Sequence, residues 1–141
     1  MRALLLLAVL TTPAHGWEAA SEGALCTLTH TEPDLHIRLT YDPGPPEYAI
    51  ILTRAGTPWL VAPVFALQFT GDRPNLITTD RHVIDGFSLS VTDRGFGNVL
   101  DGLQFNRTAT ALTGDAAIPV PLTDAAPAVA AFRACTDAPS A

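Results

Sequence analysis

The chain of 141 residues contains no lysine. That absence removes the phosphate-reaching lysine of a Walker A loop, and with it the usual route to nucleotide hydrolysis. Other cations are sparse: eight arginines stand against fourteen Asp and Glu residues, a formal net charge of −6. A nucleic-acid partner is disfavoured on the same ground, because phosphate contacts are made chiefly by Lys and Arg. Anionic lipid surfaces are disfavoured too.

Catalytic and metal signatures are also missing. The serines beyond the N-terminal stretch are Ser21, Ser88, Ser90 and Ser140, and none sits in a GxSxG elbow that would expose a nucleophile. His30, His36 and His82 form no HxH or HExxH, and no CxxC occurs, so neither a metal nor a cofactor is expected. His30 and His36 flank Thr-Glu-Pro-Asp and would meet across a hairpin only with the right alternation parity. Beyond the N-terminal stretch no run could span a bilayer, and even that one falls short of the roughly 20 apolar residues a span needs.

What is present begins with Met1-Arg2, the apolar run ALLLLAVL, and an exit holding the small residues Ala14 and Gly16. This is the layout of a secretory signal peptide, with cleavage after Gly16. Residues 1–16 are therefore expected to be removed, residues 17–136 to form one β-rich domain, and residues 137–141 to be a disordered tail. Seven arginines would then face fourteen acids, a mature charge of −7. A periplasmic or secreted location follows, and there the two cysteines, Cys26 and Cys135, read as one disulfide joining the ends of the domain.

The rest is a succession of short alternating segments broken by Pro, Gly and Asp. That predicts a mostly β fold: an antiparallel sandwich or partly open barrel with a short C-terminal α-helix. Leu35, Ile37, Leu39 and Tyr41 alternate with polar residues, DPGPPEY forces a turn, and YAIILTR returns as the second strand of a hairpin. Phe65, Leu67 and Phe69 share a strand face. Residues 76–84 and 87–91 bracket Asp85-Gly86, a strong hairpin signal because a type I′ turn needs positive φ at both central positions. Ile118, Val120 and Leu122 alternate with Pro119 and Pro121, which suits an edge strand. In residues 123–135, Val129, Phe132 and Cys135 recur at helical spacing after Thr123 or Asp124 as cap. Residues 98–103 predict one helical turn capped by Asn98, then a strand over 103–112; a strand over 99–105 with a bulge at Gly102 is the competing reading.

Thr-Asp-Arg occurs twice, at residues 79–81 and 92–94, each followed downstream by Asp-Gly. In a hairpin tipped at Asp85-Gly86 the two copies would lie together, with Thr78 opposite Asp93 and Asp80 opposite Val91. Asp80, Arg81, Asp93 and Arg94 then form a candidate anion- or sugar-contacting patch, or a surface ion-pair lattice of little worth. The adjoining Arg94-Gly-Phe-Gly-Asn98 brings Phe96 and Asn98 onto a glycine-rich loop of the kind that carries ligands. Trp59, with Tyr41 and Tyr48, is a candidate exposed platform for a sugar or a partner protein, or else a plug for the open end of a sandwich.

The run VLDGLQFNRTATALTGDAAIPVPLTDAAPAVAAFRAC resembles the C-terminal part of small exported Gram-negative proteins related to invasion-associated locus B, without that family's additional cysteines. The whole chain, with RGFGNVLDGL, resembles a group of exported bacterial proteins, some bearing a transferred name that belongs to a component of the repair enzyme excinuclease ABC. The resemblance implies no known activity, and that name conflicts with the leader, the missing lysine and the short length. The expected function is a non-catalytic binding or interaction module of the cell envelope, with a protein or glycan ligand. The alternatives are a glycan-acting enzyme using Asp80, Asp93 or Asp101, and a lysozyme-type inhibitor.

Overall fold

The computed structural model describes residues 16–137, so the expected leader, apart from Gly16, and the tail beyond Asp137 lie outside the described residues. Ten strands and two helices follow in chain order. They are β1 (Glu18–Glu22), β2 (Leu25–Thr31), β3 (Leu35–Asp42), β4 (Glu47–Arg54), β5 (Phe65–Gly71), β6 (Asn75–Thr79), β7 (Val83–Asp85) and β8 (Ser88–Asp93). Then come α1 (Gly97–Phe105), β9 (Asn106–Thr113), β10 (Ala116–Pro121) and α2 (Ala125–Thr136). One sheet has the order β1-β2-β3-β4-β8-β7 and the other β10-β9-β5-β6. Both are antiparallel, and they face each other as a sandwich without closing into a barrel.

Alternation decides which side chains meet between the sheets. On β3, Leu35, Ile37 and Leu39 are buried while His36 is exposed. Register then aligns Ile37 with Leu52 and Leu39 with Ile50, and Leu52 with Leu89, so one apolar row crosses three strands. The opposite sheet supplies Phe65, Leu67 and Phe69 against the small residues Ala109 and Ala111 of β9. Small residues beside large ones on the same sheet face leave room there for side chains of the facing sheet. The two prolines of β10 lie on an edge strand as expected, both exposed, with Val120 between them buried.

The disulfide links Cys26 of β2 to Cys135 of α2 across 109 residues, with Cα atoms 6.0 Å apart. Helix α2 turns Val129 and Phe132 fully inward. Its N-terminus departs from expectation: Asp124 is left-handed at φ 61° and its side chain makes no capping bond.

Three further readings are corrected. Residues 76–84 are not one strand: β6 belongs to the four-stranded sheet and β7 to the six-stranded one. The β7–β8 hairpin pairs Asp85 with Ser88, so the turn is Gly86-Phe87, and of these Gly86 alone has positive φ. That rules out type I′. Residues 98–103 are helical, as favoured over a strand, but within a nine-residue helix that starts at Gly97, with Phe96 rather than Asn98 as its cap residue and no side-chain capping bond.

Candidate functional site

Where β8 ends, the chain leaves the six-stranded sheet at Asp93 and enters α1, the element that carries it across to β9. Asp93 Oδ1 accepts the Arg94 amide at 2.7 Å, which ends the strand. Gly95 and Gly97 flank Phe96 with open space around both. Phe96 itself turns inward, 5% exposed, its ring stacked on Tyr48 with centroids 5.4 Å apart. The loop is thus pinned by its aromatic residue while Asp93 and Asn98 stay exposed.

On the facing sheet, β6 stops in a similar way. Thr79 Oγ1 accepts the Arg81 amide at 3.0 Å, a side-chain-to-backbone bond that turns the chain away from the ladder. His82 Nε2 then meets Ala62 O at 2.8 Å, and its ring lies beside Phe65. The two Thr-Asp-Arg copies therefore end their strands by different bonds, Thr79 taking the amide two residues on and Asp93 the amide next to it.

Between these two strand ends lies a cleft of about 470 Å³. Its apolar wall is Ile50 and Val91 from one sheet, Phe65, Leu67 and Ile77 from the other, and Phe96 and Val99 from the start of α1. Thr78, Thr79, Asp93 and Asn98 supply polar groups. A concave apolar volume of this size with a few placed polar groups is the common form of a ligand site.

The expected patch is only partly assembled. Asp93, Phe96 and Asn98 line the cleft, and Arg94 is exposed beside it. Asp80 and Arg81 sit on the exposed link between β6 and β7, outside the lining. Thr78 and Asp93 do meet at one site, but from different sheets rather than as partners in a hairpin. Among the described residues none of Asp80, Arg81, Asp93 and Arg94 forms an ion pair.

Trp59 is not an exposed platform. It is 4% exposed, its Nε1 donates to Leu52 O at 3.1 Å, and Arg54 lies over its ring at 5.1 Å. Tyr41 and Tyr48 are half-buried in an aromatic group with Phe96 and Phe132 instead. The histidine pair fails on parity, since His30 pairs with Ile37 and His36 with Thr31. His30 is buried and stacked on Trp17, whereas His36 is exposed. Among the described residues no cluster of three or more His, Cys, Asp or Glu is placed to hold a metal.

No family model, curated protein or solved structure matches the chain. The site therefore stands on its own geometry. Of the three carboxylates considered for glycan chemistry, Asp93 lines the cleft. Asp101 lines a separate groove of about 190 Å³ and pairs with Arg133 at 2.7 Å. Asp80 lines neither. Sequence reasoning named none of the apolar wall except Phe96 as site residues, and it set Thr78 opposite Asp93 as a hairpin partner, because reading residues 76–84 as one strand places β6 in the wrong sheet.

Proposed function

We propose that this chain is an exported binding module that holds its ligand, a protein or glycan of the cell envelope, in the cleft between β6 and β8. The observation that carries this reading is the cleft itself: an apolar interior left open between the sheets, with Asp93 and Asn98 at its surface. Export is supported by the leader-like residues 1–16 together with the Cys26–Cys135 bridge, since such bridges persist in oxidising compartments.

Binding without catalysis suits this geometry better than glycan hydrolysis does. Two carboxylates set about 5–10 Å apart across a sugar are the usual requirement of a glycosidase, and Asp93 is the one carboxylate lining the cleft. The resemblance to small exported bacterial proteins is consistent with this role and adds no activity to it.

Native mass spectrometry of protein isolated from its own cell envelope tests the reading, with Val91→Trp as a plugged control verified by circular dichroism. A bound species kept by the wild type and lost from V91W is the expected result. A species kept equally by both, or none in either, counts against the cleft.

A further inference from the structure

Three consecutive residues of β6, Ile77, Thr78 and Thr79, all line the cleft. Side chains of a strand alternate between its two faces, so three in a row means that the strand's edge, with its backbone, borders the cleft. β6 is the last strand of its sheet and pairs with β5 alone. The Leu76 amide is taken by Asn75 Oδ1 at 2.9 Å; among the described residues the other outer N–H and C=O groups of β6 have no partner strand and border an apolar cavity. The six-stranded sheet does not continue that ladder, because the chain crosses from one sheet to the other at Asp80-Arg81-His82.

Resting on the cleft as the ligand site, we propose that the ligand is an extended peptide segment bearing cationic and aliphatic side chains, added as a strand along β6. Main-chain bonding to a free edge, with alternate side chains seated in pockets, is an established mode of peptide recognition. Three features of the lining define the chemistry. The apolar walls are aliphatic except for Phe65 and Phe96, which are 2% and 5% exposed, so no ring face is offered to a sugar. Asp93 is the one ionisable group of the lining; one of its oxygens takes the Arg94 amide, and the other is available to a cation. Gly97, Asn98 and Val99, which open α1 at the cleft, have amides with no acceptor within the helix and can receive a peptide carbonyl. A ligand with cation, carbonyls and aliphatic side chains together is a basic peptide rather than an alkylammonium. The excess of acid over the chain, fourteen Asp and Glu against eight Arg, a net charge of −6, attracts it at longer range.

The test is an amide-resolved NMR titration of the oxidised chain from residue 17 onward. The probes are acetyl-(Leu-Arg)₃-amide, its Leu-Glu counterpart, the Leu-Arg peptide N-methylated at alternate residues in either register, and dodecyltrimethylammonium below its micelle threshold. The Leu-Arg peptide should shift the amides of Ile77, Thr78, Asn98 and Val99, and Asp93→Asn should weaken it about two- to fivefold, the range of an exposed ion pair. N-methylation in one register should weaken it about tenfold or more, as several main-chain bonds are lost. Equal binding of the Leu-Glu peptide would overturn the charge preference, and indifference to both N-methylated forms would overturn strand addition. If dodecyltrimethylammonium alone shifts the cleft, the peptide inference falls and the cleft remains a ligand site. If no probe shifts it, the peptide inference falls, and the V91W comparison decides whether the cleft binds anything else.

Discussion

Gly102 of α1 lies flat on the ring of Phe69. A Cβ built on Gly102 would overlap Cδ2 and Cε2 of that ring and come within 2.6 Å of Cγ. Phe69 is 1% exposed and sits on β5 between the sheets, so the ring has nowhere to move. This contact is what seats α1 on the four-stranded sheet and fixes the side of the cleft formed by residues 96–99.

Gly102→Ala should therefore destabilise the fold by about 1–3 kcal/mol through overpacking. The sign is diagnostic, because Gly→Ala in an unobstructed helix interior stabilises by about 1 kcal/mol. Urea unfolding should show a lower midpoint for G102A, and adding Phe69→Leu should make the alanine less harmful than it is alone. Additive losses in that double mutant would refute the contact.

At the other end of α1, Asn106 Nδ2 donates to Arg73 O at 2.8 Å and to Gly102 O at 3.0 Å, while its Oδ1 accepts the Arg73 amide at 3.0 Å. Asn106→Asp keeps the shape but aims a carboxylate oxygen at two carbonyls. The expected loss is about 3 kcal/mol, larger than a simple deletion of one bond, because the residue is 9% exposed. Thermal denaturation of N106D at neutral pH measures it, and an unchanged midpoint would contradict the arrangement.

Trp59→Phe should cost about 1–2 kcal/mol, since it removes the buried indole hydrogen bond to Leu52 O. A surface platform would instead tolerate the change within about 0.5 kcal/mol. Denaturant unfolding of W59F separates the two cases directly.

Removal of the bridge in a Cys26→Ala, Cys135→Ala chain should lower stability by about 4–5 kcal/mol on the chain-entropy account of a loop this long. Hydrogen exchange should rise most in α2 and in β1, which α2 packs against. The unreduced wild type should take up no alkylating reagent at either cysteine.

Asp101 and Arg133 join the two helices, with Arg133 also donating to Gln104 at 2.6 Å. Their side chains are 50% and 28% exposed, so a double-mutant cycle of D101N and R133Q should give a coupling of no more than about 1 kcal/mol. A much larger value would mean that this pair is shielded from water.

The parts of the fold that obey one period over a whole segment were legible. Leu35 to Tyr41 alternates without interruption, the prolines of residues 119 and 121 mark an edge, and Val129 with Phe132 marks a helix face. The failure at residues 76–84 has a specific cause. Ile77 and Thr79 are part-buried, then His82 and Ile84 are, so the inward parity slips by one between Thr79 and His82. A single strand cannot make that slip, and the Thr79-to-Arg81 turn makes it instead. The candidate site was half legible for the same reason: Asp93, Phe96 and Asn98 follow from a glycine-rich loop read locally. Their partners Ile77 and Thr78 depend on which sheet β6 joins, a choice made by its long-range pairing with β5, where Leu67 lies opposite Ile77 and Ala66 opposite Thr78.

The two borders of the four-stranded sheet differ in kind. β10 ends that sheet with Pro119 and Pro121, which have no N–H to offer a newcomer, whereas β6 contains no proline. Head-to-tail growth into a fibril requires both borders of a sheet to accept a strand. Where a strand adds along β6, the missing N–H groups of Pro119 and Pro121 weaken the far border of the same sheet for a second one, which favours a complex of fixed size over a polymer.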